Sequence, residues 1–283
     1  MFTRISNSWQ LVKASWAVLR ADRELMVFPV VSFAAAALVT ITFMIPLIGL
    51  AAADALSGVS RDGSGPLLYV GVFLFYLVQY TVVFYCNSAL VGAALIRLQG
   101  GDPNVKDGFR IANQHLGKIL SYALINATVG MVLRAIAERG MLGRIVTAIV
   151  GVAWNIATYL VVPVLVVEDI GPIDAIKRSA TLLRKTWGEQ IVGNVSISVV
   201  FGLITFSLFL LGIPILMIMI LLQSVALLIA ALIVGALVII GVSLLGSALN
   251  GIYTAAVYRF ATGGESSAFF DKDLIQSAFR SRS

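Results

Sequence analysis

The chain has 283 residues, 59% of them hydrophobic and 12% charged, with a formal net charge of +6 and a mean hydropathy of +0.98. An ordinary soluble domain carries about 25% charged residues, so these figures exclude one and point to an integral membrane protein. The basic residues lie in several short segments, which argues against nucleic acid as a partner, and a single Cys86 excludes an internal disulfide.

The first 28 residues form a polar amphipathic segment without the short apolar run and cleavage site of a secretory signal. Ile5, Trp9, Val12, Trp16 and Leu19 recur every three or four residues, the spacing of one helical face. Apolar stretches Val27–Ala53 and Leu67–Ile96 then read as two spans, because an ~30 Å hydrocarbon core takes about 20 apolar residues per crossing. A second striped segment follows: Val105, Phe109, Ala112, Leu116 and Ile119, with Asp102 as the predicted cap and Pro103 as the first helical residue. Leu120–Ala137 and Ile145–Val167 are spans three and four, with Pro163 predicted to bend the latter. A third stripe, Ile173, Ile176, Ala180, Leu183 and Trp187, starts at Gly171-Pro172.

From Ile191 to Tyr258 there is no Asp, Glu, Lys or Arg. Basic residues flank this run on both sides, so the positive-inside bias requires an even number of crossings. Gly212-Ile213-Pro214 is the predicted reversal, with Leu222-Gln223-Ser224 as a second candidate. Six spans with both termini in the cytoplasm then place 16 of the 20 Lys and Arg inside and leave Arg61, Arg134, Arg139 and Arg144 outside.

The predicted fold is therefore an all-α integral membrane domain over residues 1–283. It has six transmembrane helices in three hairpins, each preceded by a cytoplasmic amphipathic helix. Pseudo-repeats fall at 3–101, 102–170 and 171–264, with a cytoplasmic tail at 265–283. Ala93-Ala94-Leu95-Ile96-Arg97 mirrors Ala255-Ala256-Val257-Tyr258-Arg259, and Gly100-Gly101-Asp102 mirrors Gly263-Gly264-Glu265 one residue out of step. The amphipathic helices have two readings, as interfacial anchors through Trp9, Trp16 and Trp187 or as a floor packed under the bundle.

Candidate site residues are few. Asn87, Asn126, Asn194 and Asn250 either line a polar cavity or bind neighbouring helices. Glu168, Asp169, Lys177 and Arg178 are expected to form an ion-paired cluster at the membrane edge, and Arg134 a pair with Glu138. Ser243, Ser247, Gly251 and Ala255 form a strip of small residues suited to close helix packing. His115 reads as a surface or headgroup contact. Without a P-loop, nucleotide fingerprint, His-Glu-x-x-His motif or nucleophile elbow, neither a cofactor, a metal nor a catalytic group is expected.

Two segments carry a resemblance. One runs from Ser15-Trp16-Ala17-Val18-Leu19-Arg20 through Ala21-Asp22-Arg23-Glu24-Leu25 to Phe28-Pro29. The other runs from Val162-Pro163 through Glu168-Asp169-Ile170-Gly171-Pro172 to Ala175-Ile176-Lys177-Arg178-Ser179 and Lys185-Thr186-Trp187. Both resemble an uncharacterised family of bacterial multi-pass membrane proteins, which implies the fold and a bacterial inner-membrane location but no mechanism. The second segment faintly resembles the membrane domain of glycerophosphodiester phosphodiesterases; there is no room here for their catalytic barrel, so their activity does not carry over. The function expected is that of a non-enzymatic accessory, scaffold or lipid-binding component. Its partners would be membrane lipids, another membrane or cytoplasmic protein, or a second copy of itself. A small transporter or channel for an uncharged or amphipathic solute is the alternative.

Overall fold

Backbone in lipid has no water to bond, so an apolar run must satisfy its own N–H and C=O groups as helix. The computed structural model follows this rule over the residues it describes, which are 2–57, 64–187, 197–221, 223–264 and 269–270. Among them the structural elements are helices, beginning with α1 (Phe2–Ala21), a 3-10 turn (Arg23–Met26), α2 (Val27–Ser57), α3 (Ser64–Leu98), α4 (Val105–Gln114) and α5 (Leu116–Ala137). Then come α6 (Met141–Ala157), α7 (Val161–Val167), α8 (Pro172–Trp187), α9 (Ile197–Leu221) and α10 (Val225–Ala261). Six segments are long and apolar enough to cross a membrane: Arg23–Gly49, Leu68–Leu98, Leu116–Ala137, Met141–Val167, Val200–Met219 and Val225–Ala261.

The reversal between the last two differs from the first choice made from sequence. Gly212 and Pro214 lie inside α9, and the chain turns at Gln223-Ser224. Length explains the difference. Ile197 to Gly212 spans about 24 Å, short of an ~30 Å core, whereas all of α9 spans about 37 Å. Gln223 takes φ 51°, and the Ser224 side chain accepts the Leu227 N–H at 3.5 Å to start α10. The fourth span breaks before its proline, at Thr158–Leu160, with Pro163 in the first turn of α7 where it removes no helical bond. The buried Ser179 hydroxyl of α8 accepts the Leu160 N–H at 3.0 Å, giving the broken backbone a partner.

Helix faces also shift. In α1 the buried residues are Leu11, Val12, Ala14, Ser15, Val18 and Leu19, while Trp9 and Trp16 are 50% and 45% exposed. The predicted stripe had merged two faces. In α8 Ala175, Ser179, Leu182 and Leu183 are buried and Ile173 points out. The second stripe is cut by a turn at His115, and α4 starts from Asn104 rather than Asp102. Asn104 and Asp107 cap each other's backbone reciprocally, which Asp102 cannot match. Gly171-Pro172 opens α8 as predicted, with Ala175 N–H bonded to Gly171 O at 2.8 Å.

The core sits at one end. Helices α3 and α10 have 35 and 37 residues, so each runs about 53–56 Å against an ~30 Å core. Their C-terminal parts, Ala89–Leu95 and, apart from half-buried Asn250, Ala248–Tyr258, are buried with α1, α7, α8 and the start of α2. Both end alike. Gly100 and Gly263 take φ 89° and 78°. Gly101 N–H reaches Ile96 O at 3.0 Å and Gly264 N–H reaches Arg259 O at 2.9 Å, the Schellman closure that only an αL glycine makes cheaply.

Candidate functional site

Helix C-termini carry about half a negative charge each and leave carbonyls unbonded. Several meet at the end where the core lies, and basic side chains from other elements cap those of α1, α3 and α7. Arg97 bonds Ala21 O at the end of α1 at 3.5 Å, Gly101 O at 3.2 Å and Asp102 Oδ1 at 3.0 Å. Arg259 donates to Leu98 O, the last residue of α3. Lys118 donates to Asp169 O and Oδ1. The reverse cap occurs at α4, whose Val105 N–H is held by Glu24 Oε2 at 2.8 Å. These basic residues thus act first as fasteners between helices. Sequence reasoning read them as markers of topology, and missed Glu24 and Ser179. The only signal was the repeated arginine just before each terminal Gly-Gly.

The expected membrane-edge cluster is divided. Arg178 Nε holds Glu168 at 3.0 and 2.9 Å, and Tyr258 OH reaches the same carboxylate at 3.3 Å. Asp169 instead meets Lys118 and, at 3.4 Å, His115 Nε2. Lys177 does not join; it pairs with Asp174 one turn back on α8 at 3.4 Å. His115 is therefore a partner of Asp169 rather than a headgroup contact, with Nδ1 against Ile111 O at 2.9 Å. Asp169 adopts φ 52°, a strained left-handed conformation for a non-glycine residue that the Lys118 contacts help hold. Its carboxyl is shifted down from the ordinary value, first by the hydrogen bond from Lys118 and then by that ammonium charge. Asp22, buried under Arg97, is shifted up by desolvation, which outweighs the Glu24 N–H it accepts at 3.2 Å.

A cleft of about 750 Å³ opens beside these groups, with Leu95, Ile111 and Val166 on its apolar wall and Gln99, His115, Glu168, Arg178 and Arg259 on its polar rim. The ends of α3, α7 and α10 converge there. Their partial negative charges oppose the positive charge of the arginines, and the rim groups join helices: Glu168, Arg178 and Tyr258 link α7, α8 and α10, and Arg259 links α10 to α3.

The asparagines separate too. Asn126 donates to Tyr122 O at 2.9 Å and accepts from Trp154 Nε1 at 3.2 Å, which joins α5 to α6. Asn87 faces Gly251 across the α3–α10 contact, Asn250 is half-buried on α10, and Asn194 lies outside the described residues. None of the three described asparagines, Asn87, Asn126 and Asn250, lines the cleft. Of the small strip, Gly251 and Ala255 are buried, and a Cβ on Gly251 would sit 2.4 Å from Leu90 Cδ2. Ser243 and Ser247 are exposed, so only half of the strip packs inside the chain. The side chain of Trp187 lies outside the described residues. At the opposite end Arg134 and Glu138 pair at 3.3 Å as predicted.

A model of one family of unknown function, DUF6159, matches residues 67–269, most of the chain. The chain belongs to that family. The match runs from the start of α3 to Phe269 and so takes in α4 to α10 but not α1 or α2. No curated protein matches the chain.

Proposed function

We propose that this DUF6159 member is a non-enzymatic scaffold or accessory component of a bacterial inner membrane, binding lipid or a partner protein. Its basic end faces the cytoplasm, because the positive-inside bias retains Lys and Arg there. Each of the pairs α2–α3, α5–α6/α7 and α9–α10 forms a hairpin preceded by an amphipathic helix, α1, α4 or α8. The like endings of α3 and α10 support the repeat behind this arrangement.

One observation carries the reading: the charged groups at the basic end cap helices of other elements, as Arg97, Arg259, Lys118 and Glu24 do. Such groups fix a shape; they are not poised over a reacting atom. The bonding of Asn126 to Trp154 favours packing over the polar cavity that a transporter would need.

Native mass spectrometry of the full chain, released in particles of its own membrane, tests this. A stoichiometric protein partner or one retained lipid species is the expected result. A bare chain carrying only bulk lipid, together with solute flux in reconstituted vesicles, would overturn it in favour of a transporter.

A further inference from the structure

On a helix turning about 100° per residue, Trp9, Lys13, Trp16 and Arg20 fall within about 60° of one another. All four are exposed. The buried residues of α1, centred on Leu11, Ser15 and Val18, face the other way, onto α9 and α10. The tryptophans are therefore not core residues of this chain. They alternate with cations on a face that the described residues leave open.

The position of that face is constrained. Asp22 alone separates α1 from the 3-10 turn that begins the first span at Arg23. The helix also rests on α9 and α10, both of which cross the membrane. So α1 lies at the level where the chain enters the bilayer. At that level indole rings settle among headgroups, and Lys and Arg meet the phosphate layer.

We infer that the Trp9–Lys13–Trp16–Arg20 face of α1 is a binding surface for anionic phospholipid of the leaflet into which the first span inserts. This rests on the reading of the chain as a lipid-binding membrane component. A soluble acidic protein would match the cations. It would not account for paired indoles at the mouth of a span, nor for the continuous exposed apolar surface of Val27, Val30, Val31 and Phe33 that follows.

Tryptophan quenching in lipid nanodiscs tests it. The full chain is placed in discs of phosphatidylcholine with a minority of phosphatidylglycerol. Bromine is carried near the carboxyl end of the acyl chains, on an equal amount of one lipid or the other. The difference in emission between wild type and the Trp9→Phe/Trp16→Phe variant isolates this face and leaves Trp154 in its bond to Asn126. Brominated phosphatidylglycerol should quench that difference signal about threefold more than brominated phosphatidylcholine. Lys13→Gln/Arg20→Gln should abolish the preference while leaving the quenching itself. Equal quenching by both lipids would overturn the inference. So would a signal reached by aqueous iodide and by neither brominated lipid, which would turn the face toward water or a soluble partner. These outcomes separate from failure of the broader reading: a complex retained in mass spectrometry with no lipid quenching removes only this surface.

Discussion

The two halves of α10 make the same kind of helix under different physics. From Gly246 to Tyr258 most residues are buried against α3, α7 and α1, and Ala248, Ile252, Ala255 and Val257 have no exposed surface. From Val225 to Val238 the helix is apolar all round, and Val225, Leu232, Val234 and Leu237 are 51–69% exposed. The C-terminal half is packed within the chain, whereas the N-terminal half, beyond its contact with α9, exposes apolar side chains suited to lipid. Lipid tails are as apolar as leucine, so burying a side chain between helices in the bilayer gains little hydrophobic free energy. Close packing, caps and ion pairs must hold the bundle, and these gather at the basic end.

The sharpest way to break this contrast is glycine replacement. A Cβ at Gly108 would lie 2.4 Å from the Phe28 ring and 2.7 Å from Ala89 O, a backbone atom that cannot step aside. Gly108→Ala should cost about 3 kcal/mol, the upper part of the overpacking range. Gly235 on the lipid-facing half of α10 has open space in that direction, and Gly235→Ala should be neutral or stabilising by up to about 1 kcal/mol. Unfolding titrations with sodium dodecyl sulfate in mixed micelles measure both, and equal losses would refute the division.

Serine at the two ends gives the next largest difference. Ser179→Ala strands the buried Leu160 N–H, at about 2 kcal/mol. Ser224→Ala removes a long 3.5 Å cap bond at an exposed turn and should cost only about 0.5 kcal/mol. If the two losses match, water or another acceptor already serves the Leu160 N–H.

How far this contrast can be read from sequence depends on which physical signal carries it. The six helices long and apolar enough to cross a membrane were legible because lipid forbids charge, and Ile191–Tyr258 has none. Gly171-Pro172 marked the start of α8 because both residues act locally. The fasteners were not legible, since Glu24 meets Val105 and Arg259 meets Leu98 only once distant segments have packed. The faces of α1 were misread for a different reason. This helix meets protein on one side and, on the reading above, lipid on the other, so apolar residues occur on both. A stripe drawn through Trp9 and Val12 crosses from one face to the other.

Ion pairs offer a finer test. Glu168 and Arg178 are 22% and 44% exposed and join two elements, while Arg134 and Glu138 are 62% and 64% exposed on one helix end. A double-mutant cycle for the first pair should give about 1 kcal/mol and for the second about 0.3 kcal/mol or less. Moderate salt should widen the ratio, because it screens the more exposed Arg134–Glu138 pair more strongly. A larger coupling at the Arg134 pair would mean that its environment is drier than the exposure suggests.

The smallest effect lies in the pH dependence, where two carboxylates of the basic end act with opposite signs. The folded state lowers the Asp169 carboxyl below its ordinary 3.8, through the Lys118 hydrogen bond and charge. Its contribution is present above that value and is lost as pH falls through the folded value beneath it. The folded state raises Asp22 above 3.8 by burial. That group binds its proton more readily folded than unfolded, so its contribution is full below 3.8 and is lost as pH rises through the folded value. On acidification, stability should therefore first gain from Asp22 and then, below the ordinary carboxylate range, lose from Asp169. Asp22→Asn should flatten the early gain while keeping the Oδ1 acceptor for Glu24 N–H, and Lys118→Gln should flatten the late loss. Unfolding midpoints taken across the acid range for both variants separate the two contributions. Neither variant should alter the pH response of the lipid-facing half, whose described residues from Val225 to Val238 carry no titrating group.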